Sequence, residues 1–315
     1  MKYIFLIFVL FITHVVSGLN SIDDKKTNIE KKDSLWSTSG VFSFGIGQTS
    51  FTNWSAGGDN NINFSGSLFY DLNYAKDDVS WVNNIDLKYG TQFFLEKKPI
   101  KTNDQIHMSS KIGYKLDTLW SYSLLYNFDS QFSNGYKYPN DSVPISRFMA
   151  PAYLMFGIGV DYKPQKELSI LISPFTNKIT IVNDADLASR GAFGVEPAVY
   201  DTAGNILIPA RRFKNEPGGF LKIHYQHNFG KVFSLSARFE LFSSYLNKPQ
   251  NMDVRCNLNT IYRFTKRAAI TFTLDLIYDE DAQIKQDING DGVDEVVGPR
   301  TQVKETLALA ITMNL

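Results

Sequence analysis

Cysteine is almost absent from this chain: Cys256 is the single thiol in 315 residues. One cysteine excludes an internal disulfide and a thiolate metal cluster. Net charge is absent too, with 32 basic and 32 acidic side chains, so there is no electrostatic footprint for nucleic acid. Long apolar runs are missing after the first residues, and nothing later approaches the roughly 20 apolar residues of a spanning helix. A membrane role for such a chain has to come from strands, because a closed barrel is the other structure that satisfies its backbone in lipid.

Aromatic residues are plentiful, with 24 Phe and 16 Tyr. Aromatics favour strands and membrane interfaces. The N-terminus carries Lys2, an apolar run from Tyr3 to Ile12 and the small-residue stretch Val16-Ser17-Gly18. That pattern reads as a secretory signal peptide over 1–18, with no cysteine just after it to take a lipid. Residues 19–38 are charge-rich and aperiodic at first, and are expected to form a periplasmic leader before a barrel over 39–315.

Period-two alternation dominates the rest. In the last stretch Leu307, Leu309, Ile311, Met313 and Leu315 oppose Thr306, Ala308, Ala310, Thr312 and Asn314, the signature of a two-faced strand. About twelve such strands are expected, near 39–51, 61–75, 79–94, 105–116, 119–133, 152–163, 167–182, 220–229, 232–246, 252–264, 267–278 and 300–315. Tight turns at Asp77-Asp78, Asp117-Thr118, Gln165-Lys166, Gly230-Lys231 and Thr265-Lys266 alternate with long connections. An even strand count with short turns at one end and long loops at the other fits an all-β, transmembrane, up-and-down antiparallel barrel of the bacterial outer membrane. Its partners would be membrane lipid and the outer-membrane assembly machinery, with the oligomeric state open.

Alternation also assigns a lumen face. It collects Asp86, Lys88, Lys111, Lys115, Asp129, Asp161, Arg238, Glu240, Arg255 and Asp275, both signs together. Either they form a paired network that fills a narrow barrel or they line a charged channel; small barrels are commonly filled by side chains, which favours the first. Arg238, Glu240, Arg255 and Asp275 are expected within pairing reach on neighbouring strands.

Other motifs carry weaker expectations. Asn53, Trp54, Gly57 and Gly58 lie between the first two strands as a tight reversal, with Trp54 large enough to meet the lumen mouth or a ligand. Asp287, Asn289 and Asp291, with Gly292 next, have the spacing of a calcium loop. Asp294 or Glu295 could add an oxygen, but Gly298 stands where the bidentate Glu belongs, so an acidic hairpin tip is the plainer reading and calcium the only candidate cofactor. His107, His224 and His227 have no nucleophile and orienting acid at a telling spacing; His224 falls on the lumen face and His227 on the other. In the long connection 183–219, Asp184 to Gly191 has the marks of a capped short helix, and the loop is placed to narrow the mouth.

The blocks Gln48–Gly58, Ile172–Phe175 with Ile181-Val182, Gly191–Pro197 and Gly298–Glu305 together resemble a Bacteroidota-type outer-membrane family, the domain of unknown function 3078. The resemblance implies an outer-membrane barrel and brings no activity or catalytic residue. The functional expectation is therefore non-enzymatic: a channel or transport-associated pore for small polar solutes, or a plugged structural barrel. The alternative is an adhesion or partner-docking barrel working through its long outer loops, and a lumen-mouth hydrolase is a third class.

Overall fold

The computed structural model describes residues 35–50, 59–94, 97–246, 249–265, 268–279, 284–286 and 295–314. The expected signal peptide, most of the expected leader, the reversal expected at Asn53, Trp54, Gly57 and Gly58 and the calcium loop expected at Asp287, Asn289, Asp291 and Asp294 lie outside the described residues.

Twelve strands form the wall: β1 (Trp36–Thr49), β2 (Asn61–Lys76), β3 (Val79–Phe94), β4 (Ile100–Lys115), β5 (Trp120–Ser130), β6 (Ala152–Gln165), β7 (Leu168–Ile181), β8 (Phe213–Phe229), β9 (Phe233–Ser244), β10 (Met252–Arg263), β11 (Ala268–Tyr278) and β12 (Gln302–Asn314). Each pairs antiparallel with its sequence neighbours, and β1 meets β12 to close the barrel. Closure gives the interior backbone groups partners within the wall, which hydrocarbon demands.

The turns follow from local chemistry. Asp77 and Gly230 take left-handed backbone at φ 52 and 68, as tight reversals require. Asp117 accepts the backbone N–H groups of Leu119 at 2.7 Å and Trp120 at 2.8 Å, and those bonds hold its carboxyl below the usual range.

Some boundaries differ from expectation. β1 starts at Trp36, three residues before Ser39, so Trp36, Ser37 and Thr38 belong to the wall rather than to the leader. Trp36 is fixed there by Tyr74 and Trp81, with ring centroids 5.0 and 5.8 Å away. β8 begins at Phe213 rather than Phe220, because Pro217-Gly218-Gly219 is absorbed as a register shift and does not break the strand. Gly218 is required there: a Cβ would lie 2.2 Å from the Ser243 carbonyl oxygen. Gly159 does the same in β6, where a Cβ would lie 2.0 Å from the Ile172 oxygen beside another register shift.

The outer face is apolar. Leu307 is 74 % exposed, Phe175 75 % and Ile158 60 %, which suits lipid and not water. Rings gather at the short-turn end, where Trp120 meets Tyr162 at 4.6 Å and Phe229 meets Phe233 at 5.6 Å. More gather at the long-loop end, where Phe64 meets Phe93 at 5.8 Å and Tyr126 meets Phe156 at 5.1 Å. Two aromatic girdles around an apolar band are the exterior of an outer-membrane barrel.

The long connection shrinks to 182–212 and is ordered. Asp184 caps the short helix α1 (Ala185–Ser189) by accepting the Leu187 N–H, and Gly191 follows at φ 69. Leu187 and Ala188 pack with Val182, Val195 and Ala150 of the preceding loop into a small core, pinned by Arg147 to Asp184 at 3.2 Å.

The facing assignment predicts opposite outcomes for two charge insertions. Phe239→Arg, on the lipid face of β9, is expected to cost about 2–4 kcal/mol at mid-bilayer. Ser65→Arg, on the lumen face of β2, is expected to fold like the parent. Urea unfolding in lipid vesicles reads both, and the reverse order would put the register off by one.

Candidate functional site

The lumen divides into two unlike halves. Directly opposed residues in a ladder share a face, so the chain of partners Asp86↔His107↔Asp129↔Tyr153 fixes the inward side of β3 to β6. His224↔Arg238↔Asn257↔Asp275↔Lys304 fixes it for β8 to β12.

The half formed by β4 to β10 is packed. Leu125, Leu171, Phe220 and Phe242 make an inward apolar cluster with Met155 against it. Around it run ion pairs. Asp161, 1 % exposed, takes Lys111 at 2.5 Å, Lys163 at 3.5 Å and the Ser169 hydroxyl at 2.6 Å. Lys178 binds Asp253 and stands 5.2 Å over the Phe242 ring, while Glu216 takes Lys214 at 2.9 Å.

A brace crosses the lumen at mid-wall. His107 Nδ1 is 2.7 Å from the Asp129 carboxylate, and Arg238 reaches His107 Nε2 at 3.2 Å. A guanidinium can only donate, so Nε2 accepts and the ring proton sits on Nδ1, aimed at Asp129. Arg255 approaches Asp129 at 3.8 Å and stacks over Tyr153 at 5.6 Å. β9 and β4, like β10 and β5, are five places apart in the ring of twelve, so both arginines span almost the full width. Glu240 lies 3.5 Å from Lys222 and 3.8 Å from Arg238, close enough for charge and too long for hydrogen bonds.

The half formed by β12, β1 and β2 is different. Many of its inward residues are small, with Ser43 and Gly45 on β1 facing Ser67 and Ser65 on β2 and Thr306 and Ala308 on β12, although Phe69, Asp71 and Lys304 are inward there as well. Although they point inward, Ser39, Ser65 and Thr306 are exposed, and the inward Phe69 is 39 % exposed. That exposure is to the lumen itself.

Most of the expected lumen set is in place. Asp86 and Lys88 pair at 3.0 Å, and Lys111, Asp129, Asp161, Arg238, Glu240 and Arg255 join the contacts above. Two departures stand out. Lys115 is the last residue of β4 and exposed at the short-turn end, beyond the reach of the network. Asp275 takes the Asn257 amide at 2.5 Å instead of pairing with Arg238 or Arg255, because Asn257 is directly opposite. His107, Lys178, Glu216 and Lys222 were missed; alternation along Gln105, His107, Ser109 and Lys111 carried the signal for the first.

The histidines have no hydrolase arrangement among the described residues. The Ser109 hydroxyl donates to Asn127 at 2.7 Å, and the free nitrogen of His107 is taken by Arg238. His224 faces the lumen near Ser236 at 3.4 Å, and His227 lies on the outer face with Phe229. The described residues contain no cluster of metal-ligating side chains.

Residues 46–136 match a family described as protein of unknown function (DUF3078). The match takes in the Gln48–Gly58 block, while the other blocks lie outside it. No curated protein matches the chain. Among solved structures, the NanC porin is similar at 10 % identity and TM-score 0.35, covering 87 % of this chain and 97 % of its own. An outer membrane channel from Pseudomonas putida F1 is similar at 11 % and 0.39, covering 89 % and 96 %. The outer membrane phospholipase A from Escherichia coli is similar at 13 % and 0.34, covering 87 % and 89 %. Such values say nothing of what this chain does.

The buried pair at Asp161 generates a stability prediction. Asp161→Ala strands Lys111 in the packed half and is expected to cost about 3–5 kcal/mol. Lys111→Met combined with Asp161→Leu is expected to recover most of that loss in the same urea titration. A double variant as weak as the single would mean the pair does not act as a unit.

Proposed function

We propose that the barrel is an outer-membrane pore for small polar solutes, with its path along the β12–β1–β2 wall beside the charged brace. The observation that supports this is the asymmetry of the lumen. Several inward residues of one half are almost wholly buried, as with Leu125 and Leu171 at 2 %, whereas Ser65 and Thr306 of the other half stay exposed inside the wall. Ser and Thr hydroxyls replace hydration partners as a solute passes, and the brace stops the barrel from relaxing into the path.

A docking role is supported by a separate feature. The hairpin Val199–Tyr200 with Ile206–Ile208 lies in the long-loop region with Ile206 61 %, Leu207 63 % and Ile208 58 % exposed, and exposed apolar patches commonly mark interaction sites.

Single-channel recording on the refolded protein in a planar bilayer tests the pore. Steady conductance is expected in the parent, with a clear drop in Ser43→Trp/Ser67→Trp, which fills the open wall. Silence in the parent would leave a filled structural barrel, and conductance unchanged by the tryptophans would move the path elsewhere.

A further inference from the structure

The outer wall carries a polar cavity at a level where it is otherwise apolar. Asp104 on β4 is directly opposite Tyr89 on β3, and both point outward, since the inward row there is Asp86 and Lys88. The Asp104 side chain is nonetheless only 3 % exposed, because the chain leaving β5 is strapped sideways over it. Its carboxylate accepts the backbone N–H groups of Phe132 at 2.7 Å and Ser133 at 2.9 Å, the Ser133 hydroxyl at 2.9 Å and the Lys101 ammonium at 2.8 Å. Lys101 also donates to the Ser133 carbonyl at 3.0 Å. Charge-assisted bonds of this kind are the strong ones, and they fix the strap beside β3 and β4.

Between strap and wall lies a cavity of about 420 Å³, within the roughly 300–1,000 Å³ of small-ligand pockets. Tyr89, Tyr136 and Tyr138 line it. Tyr138 is held by the Lys101 backbone N–H at 3.3 Å, and its ring stands 6.4 Å from that of Tyr136 at 54°. Among the described residues, the Tyr89 hydroxyl meets Ser133 and the Tyr136 hydroxyl meets Asn134, each at 3.4 Å. Both distances are long for hydrogen bonds, which leaves two hydroxyls and the Asn134 amide open to a ligand. Lys101 is the one charged side chain among the described lining residues, and Asp104 already neutralises it.

We infer that this cavity seats a neutral sugar ring, carried as the head group of an outer-leaflet glycolipid. A sugar ring offers C–H faces to aromatic rings and hydroxyls around its edge, which matches tilted tyrosine faces bordered by hydroxyl and amide groups. An anion gains little where the ammonium is already paired. A quaternary ammonium, the other guest of aromatic cages, would lie against Lys101, and a hydrocarbon would leave the polar edge unpaired. Height along the wall selects the lipid-borne source. Thr91, also in the lining, is directly opposite Phe64 of the long-loop girdle. Nearer the short-turn end of β4 the outward Met108 and Ile112 are 40 % and 43 % exposed, so a head group in the cavity lays its tail along apolar wall. The site is outside the barrel, and its occupancy is independent of any path through the lumen.

Saturation-transfer difference NMR on the full-length protein in phosphatidylcholine nanodiscs tests this with the methyl glycosides of glucose, galactose and mannose. At least one is expected to show saturation of its ring protons, with affinity about tenfold weaker in Tyr136→Ala. Tyr136→Phe, which keeps the ring and loses the hydroxyl, is expected to bind about threefold more weakly than the parent. Tyr136 makes none of the bonds to Asp104, and both variants are expected to keep the parent's heat-modifiable gel mobility, so lost binding reads the site and not the fold. The diacylglycerol carrying the same sugar is expected to displace the glycoside from the discs, and sodium phosphate and tetramethylammonium are expected not to. Binding of none of the glycosides, Tyr136→Ala binding like the parent, or displacement by either ion would overturn the sugar site. A glycoside that stays bound against the glycolipid would overturn the lipid-borne source.

Discussion

The need to satisfy every backbone polar group without water governs this structure. Lipid offers no hydrogen-bond partners, so the sheet curls until β1 reaches β12, and the strand order, the even count and the two kinds of connection all follow. The same demand explains the glycines at 159 and 218. Where the ladder shifts register, neighbouring carbonyl oxygens come so close that no Cβ fits, and glycine keeps the wall continuous instead of leaving a hole.

With the wall closed, the interior becomes the place where charge can be held. Each inward charge is costly unless paired, and the chain answers with pairs along the wall, such as Asp86 with Lys88 and Lys214 with Glu216, and with contacts that reach across it. Arg238 and Arg255 arrive from one side at the His107–Asp129 pair on the other. Such cross-lumen links tie opposite strands together, which neighbouring ladders cannot do. They also concentrate bulky side chains in one half, and the hydroxyl-rich half is what remains. The asymmetry that supports a pore is thus a by-product of how the charges are satisfied.

Much of this was legible beforehand. Alternation marked the strands and sorted Phe239 from Arg238, because side-chain direction has a period of two whatever the neighbours are. Asp184 and Gly191 marked a capped helix by chemistry confined to a few residues. Pro217-Gly218-Gly219 misled, since composition there signals a turn and only the opposite strand makes it a bulge. Lys115 misled for the complementary reason: alternation gives the face but not the height along the wall, and at the rim a lumen-facing lysine meets water.

The sequence by itself determined that the protein is a two-faced all-β chain with polar and apolar sides, because that information is local and repeats every two residues. Tertiary structure alone decided which charges meet and which half of the lumen is filled. Those depend on register and on residues far apart in the chain, such as His107 and Arg238 or Asn103 and Lys304, whose proximity exists only once the sheet has closed.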